Sequence, residues 1–125
     1  MWLPSMHEIV AIHDLIARDF RTENGVLVPQ LLEAAVDRAR FGPFHLEATI
    51  HVRVAFIVRG IAQDHPFVDG NKRTAAVAMA TIYRENGYRL KASNRELENF
   101  MIEVAKGDVA LPGIVVWLSE NTKKV

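Results

Sequence analysis

The residues best equipped for chemistry stand together in one short stretch, Asp64-His65-Pro66-Phe67-Val68-Asp69-Gly70-Asn71-Lys72-Arg73-Thr74. His65 supplies an imidazole. Held neutral within hydrogen-bond reach of a hydroxyl, such a group acts as a general base and typically contributes ~10²–10⁴ in rate. Four residues on, Asp69 supplies a hard oxygen ligand able to hold Mg²⁺ against phosphate oxygens. Asp69-Gly70 and Gly70-Asn71 are turn material, with Gly70 free to take positive φ. A helix is expected to start directly behind that turn. Its free backbone amides and the positive end of its dipole form an anion site. Lys72 and Arg73 then add two cations in the first helical turn, the end where the dipole favours acids. Cations placed where the backbone already attracts anions make sense if a strongly negative group binds, and a polyphosphate fits. Phe67, apolar among these groups, is expected to point into the core and anchor the loop, fixing His65 relative to Asp69.

The rest of the chain must position this loop. Pro66 biases His65 away from helical angles, so the preceding helix should end at about that point. Upstream, Ser5 and Glu8 read as a capping box, and Ile9, Ile12, Ile16 and Phe20 recur at helical spacing, giving a helix over Ser5–Phe20. Pro29 suits a first helical turn, followed by Leu31, Leu32, Ala35, Val36 and Ala39 and a stop before Gly42-Pro43. Glu47–Asp64 is apolar on most sides and too long for a strand, so it reads as a central helix surrounded by the others. Asn71–Asn86 is a second strong helix, closed by Asn86-Gly87. Ser93 and Glu96 repeat the capping box before Leu97, Phe100, Met101 and Val104, with Gly107 as the stop. Pro112 opens a short last helix carrying Ile114, Val115 and Leu118. Six helices and no convincing strand pair predict an all-α bundle, with the active loop between the third and fourth helices. A short extended flap could sit only at Thr22–Val28 or Phe41–Leu46, and the Thr122–Val125 tail is expected to fray.

Composition narrows the function classes. The 125 residues suit one domain spanning 1–125, with half of them hydrophobic and 24% charged. Cysteine is absent, which excludes disulfides, thiolate metal sites and cysteine nucleophiles. Fifteen basic residues balance fifteen acidic ones, which argues against a basic nucleic-acid footprint. The most apolar stretch, Val52–Ala62, is interrupted by Arg53 and Arg59 and falls short of a membrane span. Met1–Pro4 has no features of a secretory leader, so a cytoplasmic domain is expected. His7, His13, His45 and His51 show no zinc-ligand spacing and read as structural, with His51 the one candidate to line the cleft. Arg53 and Arg59 are expected to reach solvent or pair with a carboxylate, and Trp2 and Trp117 to pack in the core or against a partner protein.

The loop resembles the Fic/Doc family, whose pattern His-x-Phe-x-Asp/Glu-Gly-Asn-Gly/Lys-Arg is matched at His65, Phe67, Asp69, Gly70, Asn71, Lys72 and Arg73. Lys72 followed by Arg73 and Thr74 looks like the Doc branch, the death-on-curing toxins of toxin–antitoxin modules. The Fic branch, which transfers AMP, usually has glycine where Lys72 stands and a second arginine where this chain has Ala76, whereas Pro66 is more Fic-like. The resemblance implies one compact six-helix Fic/Doc-like domain and a kinase-like activity. The γ-phosphate of Mg²⁺-bound ATP would pass to a threonine or serine hydroxyl of a Tu-type translation elongation factor, arresting growth. His65 would be the base, Asp69 the metal ligand and Phe67 the anchor. Gly70 and Asn71 would line the phosphate nest, and Lys72 and Arg73 would pair with the phosphates. The usual partner is a Phd-like antitoxin whose C-terminal segment folds into a helical groove, with the first and last helices as candidate walls. Two other readings stand beside this one. The first is transfer of AMP to a protein hydroxyl; the second is a non-enzymatic regulator that binds a partner through the cleft.

Overall fold

Ser5 opens the first helix as its spacing to Glu8 predicts. In the computed structural model, which describes residues 1–45 and 47–125, its hydroxyl accepts from the Glu8 amide and the Glu8 carboxylate accepts from the Ser5 amide. Helix α1 then runs Met6–Phe20. Helix α2 (Pro29–Phe41) starts on its proline and ends at Gly42. Helix α3 (Ile50–Ala62) begins three residues later than Glu47, because the Thr49 hydroxyl accepts from the Val52 amide and caps it there. Helices α4 (Asn71–Glu85), α5 (Asn94–Lys106, opened by the Ser93–Glu96 box) and α6 (Leu111–Glu120) complete the set. All six expected helices are present, and the fold is all-α.

One expectation is corrected. Tyr88–Leu90 (β1) and Thr122–Lys124 (β2) pair antiparallel, with Leu90 opposite Thr122 and Tyr88 opposite Lys124. The tail is therefore tied down rather than frayed. The Val125 amide donates to the Gly87 carbonyl at 2.8 Å, and the buried Thr122 hydroxyl donates to that of Leu118 at 2.8 Å. Three-residue strands are too short to display the period-two alternation by which strands are read. Of the two loops considered for a flap, Thr22–Val28 carries an extended bridge, Val26 against Phe67. In Phe41–Leu46 no strand is found among the described residues, and Leu46 lies outside them.

Helix α3 is the axis. Ten of its thirteen residues are buried, which is why its pattern is apolar on every side. It packs against α2, α4, α5 and α6. Burying each Val, Ile or Phe side chain is worth ~1.5–3 kcal/mol relative to exposure, so this axis is a rigid support for the loop at its C-terminal end. Gly60 allows α2 to approach closely, since a Cβ there would collide with that of Ala35. Among the described residues neither arginine on α3 pairs with a carboxylate. Arg53 donates to the carbonyls of Ala39 and Arg40, 3.0 and 2.9 Å away at the end of α2, and Arg59 lies over the Phe56 ring. Trp117 stacks on Phe100 to join α6 to α5, and Asn86 brackets the Trp2 backbone at 2.8 Å on both its amide and carbonyl. No helix among the described residues is long and apolar enough to cross a membrane.

Candidate active site

Helix α3 stops at Ala62, and residues 63–70 cross to the start of α4. His65 departs from helical angles as Pro66 demands, but into the left-handed region, with φ of 52°. For a non-glycine residue that conformation costs roughly 1–2 kcal/mol, and such strain persists only where the surroundings over-determine it. Here they do. The Pro66 carbonyl accepts from the amides of Leu27 and Val28 at 2.8 and 3.0 Å, and the Val68 amide donates to Gly25 at 3.2 Å. Phe67 between them is 1% exposed and points into the core as expected. The result turns the His65 side chain outward into a cleft.

Asn71 holds the loop from the other side. Its buried side chain accepts from the Phe67 amide and donates to the Phe67 carbonyl, both at 3.0 Å. That side chain is therefore committed to the loop, and only its backbone amide remains for an anion. Gly70 caps α4 with φ of 74°, and α4 has neither a side-chain cap nor an acid in its first turn. The amides of Asn71, Lys72 and Arg73 thus have no acceptor within the helix. Asp69 is exposed, and its Oδ1 accepts from the Gly70 amide at 2.7 Å. Lys72 and Arg73 are exposed, and neither forms an ion pair among the described residues. The Arg73 guanidinium rests 4.1 Å above the ring of Phe20 on α1.

These groups line one side of a cleft of about 600 Å³, a volume suited to a nucleotide-sized ligand. His65, Asp69, Gly70, Asn71, Lys72 and Arg73 all contribute to it. The opposite wall comes from α5, through Asn94, Leu97, Glu98, Met101 and Ile102. Sequence reasoning missed that wall, because Leu97 and Met101 belong to a helical stripe that reads as core. His13 reads from the sequence as structural, and its contact with the loop depends on packing that the sequence does not display. His13 is buried beneath the loop, its ring stacked on Phe67 at 3.9 Å and its Nε2 2.6 Å from the Asp69 carbonyl oxygen.

No three His, Cys, Asp or Glu side chains converge on a metal position among the described residues. A lone carboxylate beside an amide nest instead suits Mg²⁺, which usually binds through one or two carboxylates plus the substrate's phosphates.

His51 does not line this cleft. It lies near the start of α3, at the far end of the α3–α4 pair, where its Nδ1 is 2.8 Å from the Tyr83 hydroxyl. Burial lowers the His51 pKa and raises that of Tyr83. Both directions favour the neutral forms, an imidazole hydrogen-bonded to a phenol. His7 and His45 are exposed.

Comparison with known proteins agrees with this geometry. Residues 3–83 match the Fic/DOC family. The chain is also 36% identical over 93 residues to "Toxin Doc" of Mycolicibacterium smegmatis, an alignment covering 71% of this chain and 72% of that protein. The helix order, the seven-position loop and these two matches agree: the chain belongs to the Fic/DOC family, on its Doc branch.

Proposed function

We propose that the protein is a growth-arresting toxin that transfers the γ-phosphate of ATP to a threonine or serine hydroxyl of a Tu-type elongation factor. The observation that carries this reading is the convergence of His65, Asp69 and the uncapped amides of α4 on one cleft. The triphosphate lies along the free amides of Asn71, Lys72 and Arg73, beside the Gly70 turn, with the Lys72 ammonium and the Arg73 guanidinium against its oxygens. The apolar side chains of Leu97 and Met101 give the base a wall to pack on. Mg²⁺, bound with the nucleotide and held by Asp69, would neutralise charge on the phosphate oxygens.

His65 takes the proton from the target hydroxyl as that oxygen forms its bond to the γ-phosphorus. The bond from the γ-phosphorus to the bridging oxygen breaks, ADP leaves, and the proton on His65 passes to solvent. Ala76, at the position where the AMP-transferring pattern has its second arginine, favours phosphoryl over adenylyl transfer. The name of the M. smegmatis relative, a toxin, supports a toxic role and, with it, a cognate antitoxin, acting in the cytoplasm where an elongation factor works. A Phd-like antitoxin would lay its C-terminal segment in a helical groove, and the exposed Leu15 of α1 and Val116 of α6 are apolar contacts available to it.

Incubation of a cell extract with γ-labelled and with α-labelled ATP tests the reaction class. Label from the γ position on a single band of elongation-factor size is the expected result. Label from the α position means AMP transfer, and no protein label with either means a partner-binding role.

A further inference from the structure

His13 is a buried titratable group beneath the active loop that the transfer mechanism leaves without a task. It is 1% exposed, and of its two nitrogens Nδ1 has no partner among the described residues while Nε2 meets the Asp69 carbonyl at 2.6 Å. A side chain present only to fill space would be apolar there, because an orphaned buried nitrogen is unfavourable. The single polar contact must therefore explain the histidine. Since a carbonyl can only accept, Nε2 carries the proton and donates.

That bond fixes a peptide plane. The Asp69–Gly70 peptide is trans, so its C=O and its N–H point in opposite directions. With the carbonyl held inward by His13, the Gly70 amide faces the cleft, on the side where the Asp69 carboxylate meets it. A flip of this plane would replace the amide that holds the Asp69 carboxylate with a carbonyl oxygen that repels it. Gly70 offers little resistance to such a flip, because glycine occupies either hand of φ readily. The near-parallel stack on Phe67, 5° between planes, aims the His13 ring so that Nε2 reaches a residue two positions further along.

We propose that His13 is a positioning residue that locks the Asp69–Gly70 peptide with its N–H on the Asp69 carboxylate, holding that carboxylate beside the amide nest. This deepens the phosphoryl-transfer reading and rests on it for the identity of the ligand, though not for the conformational lock itself.

Three measurements test the lock. The ¹⁵N shifts of His13 in the wild-type protein should report the Nε2–H tautomer, and the Nδ1–H tautomer would overturn the proposal. Calorimetric titration with Mg-ATP should show His13→Phe, which keeps the stacked ring but loses the donor, binding about ten-fold more weakly. His13→Gln, which keeps a donor at the same reach, should bind with about wild-type affinity. His13→Phe binding like wild type, or His13→Gln as weak as His13→Phe, contradicts it. If wild type binds no Mg-ATP, the nucleotide reading fails separately. The lock is then decided by the Gly70 amide in relaxation dispersion on the free protein. Microsecond-to-millisecond exchange in His13→Phe but not in wild type supports it, and equal behaviour overturns it. Should His13→Phe not fold, the tautomer and His13→Gln decide alone.

Discussion

Replacing Asn71 by alanine separates two jobs that the residue could have in an anion site. Its side chain makes two 3.0 Å hydrogen bonds to the backbone of Phe67, and both are buried. Each such bond contributes a net ~0.5–1.5 kcal/mol, and the orphaned Phe67 amide and carbonyl add a desolvation penalty of ~1–3 kcal/mol each if nothing replaces the partner. Allowing for relaxation and entry of water, Asn71→Ala should lose ~2–4 kcal/mol, a large fraction of the ~5–15 kcal/mol that holds a typical domain together. For a chain of this length that corresponds to a fall in melting temperature of roughly 10 °C. Urea unfolding followed by circular dichroism measures it, with the midpoint falling at unchanged slope. If the variant loses less than ~0.5 kcal/mol, within the noise of surface substitutions, the loop does not depend on this bracket and the reasoning fails. A variant of unchanged stability but much weaker nucleotide binding would mean that the side chain contacts ligand instead.

Other perturbations give equally direct readings. His65→Gly relieves the left-handed strain of a non-glycine residue and should stabilise the protein by ~0.5–1 kcal/mol in urea, even after the entropy glycine adds to the unfolded chain, while abolishing transfer. Lys72→Ala removes an exposed charge in no ion pair, so the melting temperature should stay within about 2 °C of wild type while ATP affinity falls and loses part of its salt dependence. For His51 burial lowers the folded pKa, so the folded state resists protonation. Its contribution to stability is whole above the unfolded value of about 6.5 and declines as pH falls through that value toward the lower folded one. Denaturation midpoints of wild type and His51→Gln across pH 5–8 should therefore converge on the acidic side.

Most of what positions the site was legible because it is local. Ser5 with Glu8, Ser93 with Glu96, Pro29, and the stop before Gly42 each act within a turn of their own residue, and each helix lies where those signals put it. The loop was legible for the same reason: Gly70, Phe67 and the helix start behind them announce a turn, an anchor and free amides. What escaped depends on distance in sequence. His13 meets Asp69 across 56 residues, the α5 wall joins the cleft only through packing, and β2 finds β1 across the length of two helices. The Fic/Doc resemblance implies that Asn71 lines the phosphate nest. Its side chain in fact turns back four residues to Phe67, leaving only its amide to the nest. Arg53 illustrates the converse, an arginine in a buried helix whose partners are the last carbonyls of α2.

The central claim is that one loop lays a triphosphate along helix amides beside an outward-turned imidazole. Intact mass spectrometry of a purified Tu-type elongation factor, incubated with Mg-ATP and either wild type or His65→Ala, tests it most directly. A gain of about 80 Da, one phosphate, with wild type and none with His65→Ala is the predicted result. A gain of about 329 Da, one AMP, or the same phosphate gain with both proteins would contradict it.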